Sequence, residues 1–223
     1  MLLAHRLYSY VYQPNITLNK KSEQFIYIPT NSKFSDVVRI LSDEGLLIDK
    51  NSFEWVAEKK NYRYNIKAGR YFINRELNNN ELVGLLRSGM QIPVKVTFNN
   101  LRTEQQLAGK ITSQIEADSL AIMQNLSDTT FLIETGLNHN NVNCLFIPNT
   151  YELYWNTSAK QFIDRMQKEY NKFWNNERLK KASTIGLTKF EVSALASIVE
   201  MESYKKEERP IIARLYLNRL KKG

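Results

Sequence analysis

The sequence predicts an α+β fold, in which a small module of strand, helix, helix, strand and helix precedes a larger, mixed α/β module. Three observations support this class. Short β-rich runs alternate with segments whose apolar residues recur at helical spacing. Glycine, proline and asparagine stand at the ends of most of these segments. The 223 residues, of which 43% are hydrophobic, suffice for one or two domains with buried cores.

The first module is expected over residues 21–91, after an N-terminal linker, 1–20, that shows no clear periodicity. Its strands are predicted at 25–29 and 69–73, and its helices at 35–47, 52–57 and 80–89. Ser52 and Asn80 are expected to cap the second and third helices, and Gly89 to end the third.

The second module is expected over residues 92–223. Its strands are predicted at 92–98 and 145–152, its helices at 103–115, 119–126 and 158–181, and an Asn-rich loop at 138–143. Thr188 and Glu191 have the capping-box spacing that begins a further helix. Acidic residues and Pro210 favour the start of the last helix, which runs through Leu220.

The chain is basic, with a net charge of +8 and a pI of about 9.4. This charge is compatible with nucleic acid, anionic lipid or an acidic polymer as a partner, and equally with a solvated basic surface. No run of about 20 apolar residues and no signal peptide is present. The protein is therefore either cytosolic or is seen here without its targeting segment.

Cys144 is the single cysteine, so an internal disulfide is excluded. It stands in an apolar run and is interpreted as a small buried hydrophobe. A nucleophilic cysteine would require a basic partner, for which His5 and His139 give little basis. Neither metal-ligand spacing nor a Gly-rich phosphate loop occurs, so no metal and no cofactor are expected.

Glu200 is the candidate catalytic residue. A helical run places apolar residues on one face, with Glu200 at the flank of that face beside small residues. The apolar residues are Val192, Leu195, Ala196 and Val199. A carboxyl group in this position has room for a ligand. The other interpretation, which spacing alone favours, is one more exposed carboxylate at the polar end of a helix.

Other polar residues nearby have less definite roles. Glu202 points roughly opposite Glu200 around the helix axis, so the two are not a paired acid and base. Asn218 and Arg219 lie near the end of the last helix and could bind sugar or carboxylate. Solvation or helix capping is the more common role of such residues.

Several segments carry a family resemblance. Residues 195–200, Leu-Ala-Ser-Ile-Val-Glu, are followed by 213–220, Ala-Arg-Leu-Tyr-Leu-Asn-Arg-Leu. Upstream stand 28–30, Ile-Pro-Thr, then 68–71, Ala-Gly-Arg-Tyr, then 146–152, Phe-Ile-Pro-Asn-Thr-Tyr-Glu. In this order they resemble the endolytic murein transglycosylase (MltG, YceG-like) family, and residues 28–71 resemble its LysM-like subdomain. The resemblance extends over nearly the whole chain.

The resemblance implies an activity. The family cleaves the β-1,4 bond between N-acetylmuramic acid and N-acetylglucosamine within peptidoglycan strands, without water, and leaves a 1,6-anhydro end. Its catalytic glutamate falls on Glu200, which would act first as general acid and then as general base. Ordinary glycosidases use two carboxylates; here the sugar's own 6-hydroxyl attacks, so one suffices. The candidate substrate-binding residues are Tyr151, Glu152, Ser197, Glu202, Asn218 and Arg219.

The resemblance also implies an organisation and a location. A membrane-proximal linker, 1–20, would precede a LysM-like subdomain, 21–91, and a YceG-like catalytic domain, 92–223. One membrane-spanning helix holds family members on the extracytoplasmic side of the bacterial inner membrane. The expected partners are therefore peptidoglycan strands, peptidoglycan synthases and the membrane, and not nucleic acid.

The chain departs from the family pattern in three places. Residues 200–203, Glu-Met-Glu-Ser, replace the family's Glu-Lys-Glu-Thr, and Asn149 stands where many members have Asp. The family continues past the Asn-Arg-Leu helix with a Gly-Met…Leu-Gln…Asp-Pro-Thr segment that helps to line the cleft. We therefore expect a C-terminally truncated fragment, which need not be active by itself.

Two other functions are weighed. A glycan-binding or scaffold protein of the wall-synthesis machinery would use the LysM-like half and the basic charge without turnover. A nucleic-acid binder has the least support, since neither a basic helix nor an aromatic-on-strand RNA signature is found in the sequence.

Overall fold

The computed structural model describes residues 2–18, 23–73, 76–99 and 103–222. The strands are β1 (Gln24–Ile28), β2 (Gly69–Ile73), β3 (Val94–Phe98) and β4 (Asn149–Leu153). The helices are α1 (Leu2–Tyr12), α2 (Phe34–Asp43), α3 (Lys50–Lys59), α4 (Asn79–Ser88), α5 (Glu104–Thr112), α6 (Ser119–Leu126), α7 (Thr129–Thr135), α8 (Ala159–Phe173), α9 (Asn176–Thr184), α10 (Lys189–Glu202) and α11 (Arg209–Lys222). Two 3₁₀ turns lie at Tyr62–Tyr64 and Val142–Leu145.

The chain packs into two compact units whose segments interleave along the sequence. Unit 1 comprises residues 1–98, 109–118 and 150–158. Unit 2 comprises residues 99–108, 119–149 and 159–223. Unit 1 contains β1, β2, β3 and nearly all of β4, whereas the described part of unit 2 is built mainly from helices. The module boundary expected at residues 91 and 92 stays a prediction.

The core of unit 1 lies under one face of an antiparallel strand pair. Gln24 of β1 is opposite Ile73 of β2, and Ile28 is opposite Gly69. Because side chains alternate across a strand, one face of the pair is buried throughout. This inner face carries Ile26, Ile28, Tyr71 and Ile73, and it shares one core with α2 (Val37, Val38, Leu41), α3 (Phe53, Val56, Ala57) and α4 (Leu82, Val83, Leu86).

The opposite face of the same strand pair is aromatic, and we call it the outer face. It consists of Phe25 and Tyr27 on β1 with Arg70 and Phe72 on β2. The Phe25 and Phe72 rings lie 4.9 Å apart, and the Arg70 guanidinium lies 3.6 Å from the centre of the Phe25 ring. This grouping of aromatic residues was not predicted from the sequence, whereas the absence of an RNA-binding signature stays a prediction. Each strand alone shows only one or two aromatic residues, and strand pairing brings them together.

Asn79, in the first turn of α4, ties the N-terminal segment to the core. Its Nδ2 donates to the Tyr10 carbonyl at 2.8 Å and to Ser52 Oγ at 2.9 Å, and its Oδ1 accepts from Asn15 Nδ2 at 2.8 Å. Asn15 Oδ1 in turn accepts from the Asp49 N–H at 2.6 Å. Asn15 and Asn79 are only 4% and 1% exposed. These bonds therefore satisfy polar groups that water does not reach.

Glu116 fixes the segment that follows β4 within unit 1. Its backbone N–H donates to the Trp155 carbonyl at 2.7 Å. Its carboxylate accepts from the Thr30 N–H at 2.7 Å and from Thr30 Oγ1 at 2.5 Å. Asn156 Nδ2 donates to the Ala68 carbonyl at 3.3 Å. Residues 155 and 156 are thereby held beside the ends of β1 and β2.

Unit 2 forms around α8. This helix buries Phe162, Ile163, Met166 and Tyr170, and α6 packs against it with Ile122 and Leu126. The Phe146 ring stacks on Phe162 at 6.0 Å. Helix α10 packs against α11, α9 and the Val142–Leu145 turn. It is therefore held from three directions.

Much of the predicted element order is confirmed. The strand, helix, helix, strand and helix of the first module appear as β1, α2, α3, β2 and α4, and α6 has the predicted bounds. Gly89 ends α4 as predicted, whereas the two predicted N-terminal caps are displaced by a few residues. Asp49 caps α3, with its side chain accepting from two backbone N–H groups, and Asn78 caps α4 in a capping box with Glu81.

Other predictions are wrong. Residues 2–12, expected to lack regular structure, form α1, in which Tyr8 and Tyr12 pack at 5.1 Å; such pairs four residues apart support a helix. The helix expected at 158–181 is two helices, because the Asn175 side chain caps α9. The strand expected at 145–152 begins only after Pro148, which lacks a backbone N–H. Helix α7 was not predicted. Residues 1, 19 and 20 of the linker, and residues 21 and 22 of the first module, lie outside the described residues.

Two buried tyrosines of unit 1 differ in how their hydroxyl groups are satisfied. Tyr71 Oη donates to the Lys67 carbonyl at 2.8 Å, and burial raises the pKa of Tyr71 to about 12. Tyr62 is 0% exposed, and its hydroxyl has no hydrogen-bond partner among the described residues. Burial likewise raises the pKa of Tyr62. A buried hydroxyl without a partner is unfavourable.

We therefore expect Tyr71→Phe and Tyr62→Phe to have different effects. Tyr71→Phe should lower the free energy of unfolding by about 1 kcal/mol, since it removes a made hydrogen bond. Tyr62→Phe should leave the free energy of unfolding unchanged or raise it, because it removes a buried hydroxyl group that makes no hydrogen bond. Urea denaturation followed by circular dichroism measures both. Equal losses in the two variants would contradict the assignment.

Candidate functional site

Helix α10 carries the candidate catalytic carboxyl group, and its start is defined by a capping box. Thr188 Oγ1 accepts from the Glu191 N–H at 3.2 Å, and the Thr188 N–H donates to Glu191 Oε2 at 2.7 Å. The hydrogen bond from the Thr188 backbone N–H stabilises the carboxylate and lowers the pKa of Glu191. The predicted capping box is thus confirmed, and it fixes the helical phase of the residues that follow.

Glu200 lies near the C-terminal end of α10 and is half-buried. Val199 beside it is 7% exposed and faces the interior of unit 2. Ser197, one helical turn earlier, is exposed, and its hydroxyl donates to the Ser193 carbonyl at 3.0 Å. The carboxyl group therefore lies at the border between a packed face and solvent, with a small residue beside it.

The turn between α10 and α11 is braced by side chains. Ser203 caps α10, is 8% exposed, and donates its hydroxyl to Glu208 Oε2 at 2.7 Å. The same hydroxyl accepts from the Lys205 N–H at 3.0 Å. Lys205 Nζ lies 3.2 Å from Glu208 Oε1. This polar cluster fixes where α11 starts relative to the end of α10.

Three residues bridge α10 and α11 farther along. Tyr216 Oη donates to Glu202 Oε1 at 2.7 Å. The Arg219 guanidinium lies 5.5 Å from the centre of the Tyr216 ring. The hydrogen bond with Glu202 raises the pKa of the Tyr216 phenol, because the carboxylate stabilises its neutral form. Tyr216 thus contacts both Glu202 of α10 and Arg219 of α11.

The remaining predicted substrate-binding residues are distributed over both units. Asn218 is exposed on α11 in unit 2. Tyr151 and Glu152 belong to β4 in unit 1. Tyr151 is 5% exposed, and its ring stacks on Phe98 at 5.3 Å, whereas Glu152 is exposed. A groove that joins Glu200 with Tyr151 or Glu152 stays a prediction.

A second polar cluster lies on the packed side of α10. Cys144 is half-buried, and burial raises the pKa of its thiol, while a hydrogen bond with Ser193 partly offsets this rise. Lys189 Nζ lies 5.2 Å from the centre of the Tyr170 ring, an orientation that favours a cation–π interaction. Cys144 is thus a half-buried thiol with a polar neighbour, and not the small buried hydrophobe that the sequence predicts.

The outward sides of α10 and α11 carry large apolar side chains. Ile198, Met201, Tyr204, Ile211, Leu215 and Leu220 are between 41% and 90% exposed. Basic residues of α11 stand among them, at Arg214, Arg219, Lys221 and Lys222. We call this set the apolar strip.

Two further findings concern the described residues. No three His, Cys, Asp or Glu side chains lie close enough together there to hold a metal ion. No single helix among them has the length and apolar composition to cross a membrane, and α9 and α10 reach that composition only when taken together, at an angle of 78°.

A family model described as the YceG-like family matches residues 26–223. Because the match covers most of the chain, this protein belongs to the YceG-like family, as the ordered motifs predicted. A structure of a yceG-like protein from Listeria monocytogenes has a TM-score of 0.53 and 22% identity to it, over 91% of this chain and 72% of that chain. This likeness supports the mixed α/β fold.

Two curated relatives are named endolytic murein transglycosylase. The protein of Streptococcus pneumoniae serotype 2 (strain D39) is 25% identical over 248 residues, which cover 96% of this chain and 43% of that protein. The protein of Bacillus subtilis (strain 168) is 23% identical over 222 residues, which cover 92% of this chain and 61% of that protein. The chain thus spans about half the length of these relatives.

Sequence reasoning missed the residues that connect α10 with α11. Tyr216 is 14 positions from Glu202, and Ser203 and Glu208 stand on either side of a turn. No spacing rule marks such pairs, since they meet only once the two helices pack. Ser203 directly after the helix offered a weak signal, because Ser often hydrogen-bonds nearby backbone.

The Glu202–Tyr216 bond predicts a shift on substitution. In Glu202→Gln the carbonyl oxygen remains but the charge is lost, so the pKa of Tyr216 should fall toward the ordinary value of about 10. A raised pKa also means that the bond stabilises the fold below about pH 10 and that this contribution is lost as the phenol ionises. NMR titration of ¹³Cζ-labelled tyrosines measures the pKa of Tyr216. The Tyr216→Phe variant identifies the resonance that belongs to this residue.

The control for this titration is Glu207→Gln, an exposed carboxyl group in the same connection. It should leave the titration of Tyr216 unchanged. An identical Tyr216 pKa in the parent protein and in Glu202→Gln would contradict the bond.

Proposed function

We propose that this protein is an endolytic lytic transglycosylase of peptidoglycan, with Glu200 as its one catalytic acid and base. The observation that carries the proposal is the match of residues 26–223 to the YceG-like family. Within that match, Glu200 ends the Ser-Ile-Val-Glu segment that resembles the family's catalytic motif. The names of the pneumococcal and Bacillus relatives support the same class of reaction.

The position of Glu200 suits the proposed role. A general acid must be held in place and must also reach the substrate. The packed neighbour Val199 and the braced turn after Ser203 hold the backbone on both sides of Glu200. Glu200 itself is only half-buried, and Ser197 one helical turn earlier is exposed. Glu202 accepts a hydrogen bond from Tyr216, and its predicted contact with the substrate stays a prediction.

The reaction balances with one carboxyl group. Glu200, as the acid, donates its proton to the oxygen that links N-acetylmuramic acid to N-acetylglucosamine, and the bond from C1 to that oxygen breaks. The 6-hydroxyl of the muramic acid then attacks C1 and closes a 1,6-anhydro ring. Glu200, now a carboxylate, takes the proton of that hydroxyl and returns to its starting form. Water is not consumed.

The substrate contacts belong to the same proposal. Ser197 is the nearest candidate along the chain, and Asn218 and Arg219 would add a polar contact from α11. Tyr151 and Glu152 would contribute from unit 1. Tyr151 would act by shaping the site rather than by direct contact, since its ring is covered by Phe98. Residues 21–91, with the strand, two helices and strand described above, would be the LysM-like subdomain.

The proposal includes a location and partners. Peptidoglycan lies outside the bacterial cytoplasmic membrane, so this region would act on the extracytoplasmic side, with the protein held by a membrane-spanning helix. New glycan strands are made there by peptidoglycan synthases, which would be its protein partners. The net charge of +8 is complementary to the carboxylates of the peptide stems.

Glu200→Gln tests the assignment. The amide cannot donate or accept the proton, so the rate of 1,6-anhydro product formation from purified glycan strands should fall by about 10²–10⁴-fold. Mass spectrometry of the products measures it, in the protein as its gene encodes it. The matched control Glu207→Gln should retain the parent rate. Full product from Glu200→Gln, or no product from the parent protein, would exclude the proposal.

A glycan-binding protein without turnover is the second candidate, and the aromatic outer face of β1 and β2 favours it. Measurements of binding and of cleavage distinguish the two functions. Binding of glycan strands that survives Glu200→Gln, with no anhydro product from the unsubstituted protein, would support binding alone.

A further inference from the structure

A cavity of about 410 Å³ lies beside α2 in unit 1, and none of the residues predicted for catalysis or substrate binding lines it. Its volume is in the range of sites that hold small ligands. Two apolar residues, two serines, three cations and two carboxylates line it. We call this cavity the α2 groove, and its residues include Phe34, Val38, Arg39, Asp43, Lys50 and Arg63.

The floor of the α2 groove is rigid because it is continuous with the core of unit 1. Val38 is 4% exposed, and the Phe34 ring stacks on the buried Phe53 ring with their centres 6.1 Å apart. The Arg63 guanidinium lies 5.5 Å from the centre of the Phe34 ring, so this cation is held near the start of α2. A site whose walls are already in place loses little conformational entropy on binding.

The charged side chains of the groove are only weakly engaged within the protein. Arg39 Nη2 lies 3.6 Å from Asp36 Oδ1, and Lys50 Nζ lies 3.7 Å from Glu54 Oε1. Both distances exceed that of a hydrogen bond, and exposed ion pairs of this kind contribute little to stability. The Asp43 carboxylate makes neither a hydrogen bond nor an ion pair with the described residues. These groups are therefore available to a ligand.

Opposite charges stand at the two ends of α2. Arg63 lies beside Phe34 at the start of the helix, and Asp43 is its last residue. The helix dipole adds positive partial charge at the start and negative partial charge at the end. From Phe34 to Ser42 the lining of α2 extends over about 12 Å, at 1.5 Å per residue. This length matches three to four residues of an extended peptide.

We propose that the α2 groove binds a short peptide that carries both free carboxylates and a free amine. Arg63 binds the terminal carboxylate in the forked geometry of a guanidinium, and Asp43 accepts from the ammonium group. Three cations and two carboxylates give the groove one net positive charge. A peptide with two carboxylates and one amine has one net negative charge, so the two are complementary.

The identity of the peptide rests on the proposed function. An uncross-linked stem of peptidoglycan carries two carboxylates, one of them at its end, and the free amine of a diamino acid. A cross-link converts that amine into an amide, which removes the charge that Asp43 binds. The α2 groove therefore favours strands that are not yet cross-linked. It would add a selection by peptide to a reaction that takes place on the sugar.

The lining disfavours other classes of ligand. A lipid would require mostly apolar walls, whereas only Phe34 and Val38 are apolar here. A nucleic acid would bring its phosphates against the carboxylates of Asp43 and Glu54, which repel them. A neutral sugar would stack on an open aromatic ring, whereas Phe34 is half-buried and engaged by Arg63.

Isothermal titration calorimetry of the full chain with soluble peptides tests the proposal. The probe is an N-acetylated pentapeptide stem that has lysine as its third residue and a free carboxylate at its end. Acetylation of the lysine amine should weaken binding about tenfold, and so should amidation of the terminal carboxylate. Each change removes one charge-assisted contact.

Two variants assign these contacts to side chains. Arg63→Gln should lose the preference for the free carboxylate and keep the preference for the free amine, and Asp43→Asn should do the reverse. A misfolded variant would lose both preferences, so retention of one preference shows that the groove is intact. The charge-matched controls Arg87→Gln and Glu23→Gln, both exposed outside the groove, should keep both preferences.

Several results would overturn the proposal. These are no binding of the peptide, equal affinity for the free and the blocked peptides, or binding that neither Arg63→Gln nor Asp43→Asn changes. An N-acetylglucosamine tetramer that binds, and loses its binding in both variants, would assign the groove to sugar instead.

The outcome is distinct from that for Glu200, because the free peptide contains no glycosidic bond. Peptide binding without any anhydro product from the parent protein supports the α2 groove and removes the catalytic proposal. Anhydro product without peptide binding does the reverse.

Discussion

A sheet of two five-residue strands is too small to be stable by itself, and the structure of unit 1 is organised by that limit. The strand pair gains its stability by burying one face, with Ile26 and Tyr71 inside the core of α2, α3 and α4. Each fully buried large side chain of this kind contributes about 1.5–3 kcal/mol. One-sided burial leaves the other face in solvent. The aromatic outer face of β1 and β2 thus occupies a surface that the core does not use.

The constraint in unit 2 is a different one, because a polar group must be held in place at the edge of a packed helix. Helix α10 is fixed at its start by Thr188 and at its end by Ser203, so Glu200 lies between two defined points. The neighbouring carboxyl group of Glu202 is engaged by Tyr216 across to α11. Two acidic side chains two residues apart therefore have different surroundings. This difference, more than acidity as such, distinguishes the two carboxyl groups.

The sequence predicts the parts of this fold that depend on local signals. Apolar spacing located α6, and Thr188 with Glu191 located the start of α10. Features that depend on distant partners could not be predicted. Trp155 reaches Tyr27 only because Glu116 bonds both Thr30 and the Trp155 backbone. Helix α1 was missed although Tyr8 and Tyr12 stand four residues apart, and its bond to the distant Asn79 side chain could not be predicted from the sequence. Glu200 was identified as the candidate catalytic residue by its motif, whereas spacing alone favoured an exposed carboxylate without a specific role.

The apolar strip on α10 and α11 has a consequence for the colloidal behaviour of the chain. Repulsion from the net charge of +8 keeps molecules apart, but its range is only about 8 Å at physiological ionic strength. Attraction between apolar side chains such as Ile211 and Leu215 is not screened by salt, and sulfate or phosphate strengthens it. Raising the salt concentration removes the repulsion and keeps the attraction. Dilute buffers of low ionic strength are therefore the conditions in which this protein stays dispersed.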